Sequence, residues 1–376
     1  MTQRWAWAEI DLGAIAANAR TLAGIARPAA LCAVVKANGY GHGAAMAAGA
    51  ALDGGATWLA VALTSEGAAL REAGINAPIL LLSEPPADEH ADVARFDLTP
   101  TVYTEAGIAS LAQAASRPLT VHLKVDTGMH RVGAPPSEAR RLAELVLAHP
   151  PLKLGGVWTH CAVADEPGHP ATAVQTERLD AVVKDLADAG IEVPIVHAAN
   201  SAATIDVPAL HRDLVRCGIA LYGLAPSPAL AGRVPLQPAL RLVARVSHVQ
   251  VVPAGDAVSY GLRRPVERDT VVATVPIGYA DGVPRRLFDV GAEVLVGGAR
   301  RPLAGVVTMD QLLVDCGTAT VVPGDEVVLI GEQGDERIGA EEWAERLGTI
   351  AYEIVCGISA RVPRTYRPAP AARITA

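Results

Sequence analysis

The sequence predicts an α/β fold: a (β/α)8 barrel followed by a second, mainly antiparallel β domain. Three observations lead there. Up to about residue 235, short and near-continuous apolar runs alternate with helical stretches, the pattern of parallel strands buried on both faces. Those runs number eight, as an eight-stranded barrel requires. Beyond residue 235 the helical spacing gives way to alternating apolar and polar residues broken by glycine turns, which marks antiparallel strands.

The runs are 31–35 (LCAVV), 58–63 (WLAVAL), 78–82 (PILLL), 98–102, 119–125 (LTVHLKV), 153–159, 194–198 and 214–219. Ala-rich segments with helical spacing lie between them at 65–73, 104–116, 136–149 and 170–189. No G-x-G-x-x-G follows the first run, so a doubly wound dinucleotide-binding sheet loses its usual signature. Pro226, Pro228, Pro235 and Pro238 mark a linker, giving domains of 1–235 and 236–376. In the second domain LVARVSHVQVV, TVVATVPIG, EVLVGG and DEVVLIG read as strands, and 340–347 as one short helix. The tail after Arg367, PAPAARITA, reads as loose.

Composition narrows the function classes. With 51% hydrophobic and 19% charged residues in 376, the chain has an ample core and is no disordered polymer. A net charge of −8 and the absence of a basic run argue against general binding to nucleic acid or anionic membranes. The longest charge-free stretches, 37–52 and 217–232, are sixteen residues and carry glycine or proline, whereas a spanning helix needs about 20 apolar residues. MTQRWAWAEID lacks the features of a signal peptide, so a cytoplasmic location is expected. Five scattered cysteines with no CxxC pair read as small buried hydrophobes, without a disulfide framework or metal site.

In a barrel the chemistry collects at the carboxyl ends of the strands, and the uncommon polar residues fall there. Lys36 ends the first run, Lys124 and Asp126 the fifth, and His160 the sixth. His197, Asn200 and Ser201 follow the seventh, and Arg216 lies within the eighth. An ammonium ending the apolar strand of LCAVVKANGYGHG is costly to bury unless its amine is deprotonated or committed covalently; Schiff-base lysines occupy such positions. Ser201 opens the next helix and Gly218 lets backbone N–H groups approach an anion, which together suggest a phosphate site. Lysine plus phosphate cradle points to pyridoxal phosphate. Arg216 then bears on the reaction type. A guanidinium donates only to an unprotonated ring nitrogen, which weakens the electron sink and leaves deprotonation and reprotonation at Cα as the favoured chemistry.

The same residues lie in blocks that resemble bacterial alanine racemase, and the resemblance spans nearly the whole chain. The blocks are AEIDL (8–12), AVVKANGYGHG (33–43), LKVDTGMHRVG (123–133), HAANSAA (197–203) and RCGIALYG (216–223), then VSYG (258–261), GYADG (278–282), MDQ (309–311) and TIAYEIVCGISARVPR (349–364). The resemblance implies a pyridoxal-phosphate isomerase acting by two bases on L- and D-alanine, supplying D-alanine for peptidoglycan. It implies a homodimer whose active sites are shared. Lys36 corresponds to the cofactor-bearing lysine and D-face base, and Tyr260 to the L-face base from the other subunit. Arg216 matches the ring-nitrogen partner and His160 the link from it to the tyrosine. Tyr40, Ser201, Gly218, Ile219 and Tyr352 match the phosphate cradle. Arg131 and the backbone of Met309 correspond to substrate-carboxylate binders, Lys124 to a lysine orienting Arg131, and Tyr279 and Asp310 to residues of the entry channel. His130, where the family often has glycine, and Cys161, where an aromatic is common, depart from the pattern.

A tyrosine with a pKa near 10 is a poor base, so its neighbours must lower that value; Arg216 acting through His160 is the candidate cause. Three other readings compete: a racemase of wider specificity for serine or lysine, an amino-acid decarboxylase of the same layout, and a non-catalytic pyridoxal-phosphate carrier. The carrier is a single barrel and leaves the domain bearing Tyr260 unexplained.

Overall fold

The computed structural model describes residues 4–368, which divide into two compact units, Gly13–Pro238 and residues 4–12 joined with 239–368. The terminal tail thus lies outside the described residues from residue 369 onward.

The first strand of the chain, β1 (Ala6–Asp11), belongs to the second unit. The barrel unit holds β2 (Ala30–Val34), β3 (Trp58–Val61), β4 (Ile79–Leu81), β5 (Thr101–Val102), β6 (Leu119–Lys124), β7 (Leu152–Trp158), β8 (Val196–His197) and β9 (Leu214–Cys217). These form two parallel four-stranded runs, β9-β2-β3-β4 and β5-β6-β7-β8. A parallel bridge from Leu80 to Thr99 joins one end of the runs. At the other, Asp213 N donates to Val196 O at 3.1 Å and Arg216 N to Ala199 O at 2.9 Å. The ring is therefore closed. Its strands are buried on both faces, which explains their continuous apolar runs. The helices Thr64–Glu72, Glu105–Ala114, Ala139–Ala148 and Pro170–Asp188 fall where the spacing predicts.

The second unit contains β10 (Leu240–Arg245), β11 (His248–Val252), β12 (Thr270–Val275), β13 (Glu293–Val296), β14 (Ala299–Pro302), β15 (Leu312–Asp315), β16 (Glu326–Gln333), β17 (Glu336–Ile338) and β18 (Arg364–Arg367). One sheet runs β14-β13-β16-β10-β1-β18, with β17 pairing β16, and a second runs β11-β12-β15. All pairings but β1–β18 are antiparallel. Val252, Val258, Val266, Val272 and Ala304 form a small core beneath the second sheet.

Three expectations need correction. The first twelve residues do not belong to the barrel: Ala6, Ala8 and Ile10 alternate with partly exposed Trp7, Glu9 and Asp11, a half-buried pattern suited to pairing with β10 and β18. The division on the far side falls at Pro238, not at 235. A second helix, Ala351–Gly357, follows Ala340–Leu347; it buries Ala351, Ile354 and Val355. Its spacing turns Cys356 outward, so four cysteines are buried and the fifth is exposed.

The loop after β9 is fixed by one glycine. Gly223 has φ +84° and a Cβ there would overlap the carbonyl of Gln237. Asn18 holds both sides of this approach, donating Nδ2–H to Leu221 O (3.1 Å) and Gln237 O (2.8 Å) and accepting from Gln237 N (2.8 Å). Gly223→Ala is therefore expected to cost roughly 2–4 kcal/mol, from backbone strain plus overlap. Urea unfolding of the two proteins measures it, and an unchanged midpoint would contradict the account.

Candidate active site

Lys36 follows β2 after Val35, and the four residues after it adopt a left-handed turn: Ala37, Asn38, Gly39 and Tyr40 have φ of 51°, 53°, 63° and 51°. Three of the four carry a Cβ, at roughly 1–2 kcal/mol each, so the surroundings must over-determine the turn. Gly39 N donates to Val35 O (2.8 Å), Gly41 N to Ala37 O (3.0 Å) and Gly43 N to Asn38 O (2.8 Å). Glu66, in the first turn of the helix after β3, accepts from Ala37 N (2.6 Å) through one oxygen and from Ala62 N (2.9 Å) and Leu63 N (3.2 Å) through the other. His42 Nδ1 lies 3.1 Å from Gly39 O and 2.9 Å from Tyr40 O. Its ring stacks on Tyr222 at 4.4 Å, whose hydroxyl donates to Val34 O (3.1 Å).

Arg216 sits in β9 and is buried. Its Nη1 donates to His197 Nδ1 (2.9 Å), while Nη2 donates to Thr159 O (2.8 Å), Ala198 O (3.0 Å) and His160 Nδ1 (3.3 Å). Trp158 lies under the guanidinium, 4.5 Å from it. Every one of these acceptors is neutral. Burial lowers the Arg216 pKa to about 10, so the charge persists at neutral pH. No hydrogen bond of its Nε to protein is seen among the described residues, leaving a donor for a ligand.

This geometry dictates histidine tautomers. Because Arg216 only donates, His197 Nδ1 must accept, so His197 carries its proton on Nε2. That nitrogen is 2.9 Å from His122 Nδ1, which accepts in turn. Burial, reinforced by the Arg216 charge, holds both rings neutral: His122 falls to about 4 and His197 well below its usual value. His160 is likewise lowered, by burial first and then by Arg216, Arg131, Lys124 and Lys36. His122, Trp158, Glu66 and His42 are the members of this constellation that sequence reasoning missed. A histidine in the middle of a buried barrel strand was the available signal for His122.

Lys124 ends β6, with Nζ 4.2 Å from the Trp158 ring and 3.4 Å from Leu82 O. Burial lowers its pKa to about 7, helped by Arg216, Arg131 and Lys36 and opposed by Asp126. Three cations thus act on Lys124, and the single acid among the groups acting on it is Asp126. Asp126 Oδ1 accepts from the amides of Gly128, Met129 and His130, each at 3.0 Å. His130 has φ 54°, a conformation that favours glycine, so this departure from the family pattern is held by Asp126.

Ser201 and Gly218 meet. Asn200 caps the helix Ser201–Asp206 by accepting from Ala203 N (3.0 Å), which leaves Ser201 Oγ to accept from Gly218 N (2.9 Å). A Cβ on Gly218 would overlap the Tyr40 hydroxyl. Ile219 is fully buried beside them in sequence. A phosphorylated, anionic ring fits these features: a cationic pocket, a glycine keeping space beside a tyrosine hydroxyl, and the open donor of Arg216.

The remaining sequence-predicted residues lie in the other unit. Tyr260 is 72% exposed, and Leu262, Tyr279 and Met309 are also exposed; Tyr352 lies partly buried in the helix Ala351–Gly357. Their loops are bonded together: Ser259 Oγ donates to Val306 O (2.6 Å), Tyr279 N to Thr308 O (2.9 Å) and Ala280 N to Met309 O (3.0 Å). Buried Asp281 anchors them, accepting from Gly278 N (3.0 Å) and pairing with Arg4 (2.7 Å) and Arg361 (3.2 Å), which reaches Asp310 (2.6 Å).

Residues 10–226 match the family model "Alanine racemase, N-terminal domain", and residues 239–366 match "Alanine racemase, C-terminal domain". The chain belongs to the alanine racemase family. The alanine racemase of Symbiobacterium thermophilum is 48% identical over 375 residues, covering 96% of each chain. That of Carboxydothermus hydrogenoformans is 46% identical, covering 96% of this chain and 99% of its own. Among solved structures, alanine racemase from D-cycloserine-producing Streptomyces lavendulae superposes with a TM-score of 0.92 at 41% identity, covering 98% of both chains. Alanine racemase from Bacillus anthracis with bound L-Ala-P gives 0.92 at 40%, covering 98% of this chain and 97% of that one. The family is pyridoxal-phosphate dependent, in keeping with the pocket's fit.

Lys124 yields a stability prediction for the cofactor-free protein. Its folded pKa, about 7, lies below the ordinary 10.5, so between these values the unfolded chain binds more protons and stability rises with pH. The parent should therefore gain stability relative to Lys124→Met as pH rises from 6 to 9, measured by urea unfolding in CO2-free buffer. Parallel curves would refute the depressed pKa.

Proposed function

We propose that this protein is an alanine racemase that interconverts L- and D-alanine by a two-base mechanism with pyridoxal phosphate. When bound, the cofactor withdraws electrons from Cα and so acidifies the Cα–H. Lys36 would hold it covalently, and its amine would move the proton on the D face of Cα. Tyr260, from a second copy of the chain, moves the proton on the L face. Arg216 would donate from Nε to the ring nitrogen, and the single observation that carries the reaction type is its buried guanidinium, which bonds protein through Nη1 and Nη2 and has no carboxylate among those partners. A cation there, with no carboxylate beside it, would keep that nitrogen unprotonated and weaken the ring as an electron sink. Return of the proton to Cα is thereby favoured over transamination or decarboxylation.

The chain's other residues bind and orient. Tyr40, Ser201, Gly218, Ile219 and Tyr352 cradle the phosphate. Arg131 and the backbone of Met309 take the substrate carboxylate, with Lys124 orienting Arg131. His160, accepting from Arg216 through Nδ1, keeps its proton on Nε2 and presents that N–H to Tyr260. Tyr279 and Asp310 line the entry.

The exposed Tyr260, Leu262, Tyr279 and Met309 support a homodimer that completes each site with loops from the second copy. Five free cysteines suit a reducing cytoplasm, and the D-alanine formed would serve peptidoglycan synthesis. Among the described residues no helix is long and apolar enough to cross a membrane.

Incubating each alanine enantiomer in heavy water tests the reaction. Interconversion with deuterium at Cα and no CO2 is expected. Release of CO2 would instead favour a decarboxylase, faster turnover of serine or lysine a broader racemase, and inertness toward all of them a carrier. Lys36→Ala should lose the visible absorbance of the bound cofactor, and a protein that stays yellow removes the lysine assignment. Tyr260→Phe should slow proton exchange from L-alanine by at least about 10²-fold, more than from D-alanine; equal losses on both faces would remove it as a base. A fully active monomer in sedimentation would defeat the shared site.

A further inference from the structure

The left-handed turn after Lys36 is a conformation the backbone would not hold unaided, and one side chain meets its carbonyls from outside the turn. His42 Nδ1 faces two carbonyl oxygens, of Gly39 at 3.1 Å and of Tyr40 at 2.9 Å. Facing two carbonyl oxygens, which can only accept, this nitrogen carries the proton and donates. The His42 ring is buried and lies 4.4 Å from the Tyr222 ring, with 30° between their planes. Tyr222 in turn donates to Val34 O at 3.1 Å, in the strand that ends just before Lys36, and its ring is 5.1 Å from that of Tyr40. The turn is thus clamped between β2 and the loop after β9, with His42 as the pin.

We propose that His42 is a positioning residue for Lys36 and Tyr40, acting through its Nδ1–H to hold the left-handed turn so that the amine and the phosphate-facing hydroxyl are aimed before cofactor arrives. The inference rests on the assignment of Lys36 as the cofactor-bearing lysine. It adds that the aim of Lys36 is built into the fold itself, through the Nδ1–H of a residue six positions along the chain. Glu66, accepting from Ala37 N at 2.6 Å, fixes the near end of the turn, and His42 fixes its far end.

The test compares His42→Leu, which fills much of the ring's space without a donor, with His42→Asn, whose amide N–H takes the place of Nδ1–H. Two readouts are used on the full chain: hydrogen exchange of the 36–44 segment in cofactor-free protein, and the rate at which added pyridoxal phosphate gains its lysine-bound absorbance. His42→Leu is expected to exchange this segment at least about 10-fold faster, with β6 and β7 unchanged, and to condense about 10-fold more slowly; His42→Asn should restore both. Parent-like protection in His42→Leu overturns the proposal, as does equal loss in both variants, which would make the ring a packing group only. Should His42→Leu fail to fold, His42→Asn decides alone: parent-like protection and condensation support the proposal, and their loss overturns it. Failure of the Lys36 assignment is separable, because Lys36→Ala would then keep the bound absorbance while the exchange comparison still reads the turn.

Discussion

The constraint on which the site depends is a permanent cation buried without a carboxylate. Arg216 spends Nη1 and Nη2 on two imidazole nitrogens and two carbonyl oxygens, and rests on the face of Trp158. Neutral acceptors satisfy its donors but leave its charge unbalanced, which is costly in a dry interior. The consequences spread outward. His197, His122 and His160 are held neutral, and Lys124 is pushed toward its free base. An unbalanced positive charge at this place suits an anionic cofactor and an anionic substrate.

Much of this was legible in the sequence because barrels have a simple grammar. Eight strands buried on both faces read as eight apolar runs, and polar residues at their carboxyl ends stand out against that background. Lys36, Lys124, His160, His197 and Arg216 stand out that way; Arg216 bonds both histidines, and the charges of Lys36, Lys124 and Arg216 all act on His160. His122 was not, because a histidine inside LTVHLKV reads as a core residue until its partner, His197, is brought to it from 75 positions away. His42 and Glu66 were missed for another reason. Their work is on backbone groups in a left-handed turn, and no spacing rule shows that ANGY adopts one.

The misplaced N-terminal strand was legible in principle. AWAEID alternates buried and partly exposed positions, unlike the solid runs of the barrel, and it pairs with β10 and β18. What sequence could not supply was its partners, which are far along the chain. The same holds for Tyr260, Tyr279 and Met309. Their motifs are recognisable, but that their loops are tied into one cluster, with Asp281 bonded to Gly278, Arg4 and Arg361, is a tertiary fact.

The placement of β1 also orders events during synthesis. Residues 13–238 form the barrel unit between β1 and its neighbour β10, so the barrel is topologically an insertion within the β unit. At about 5–20 residues per second, β1 waits roughly 10–50 s on the ribosome before β10 emerges, and longer for β18. During that wait a strand with Ala6, Ala8 and Ile10 along one side has no sheet to join. The barrel has the chance to close first, since all its strands are already made. Emergence of β18, which completes the β1–β18 pairing, is then the step that finishes this sheet.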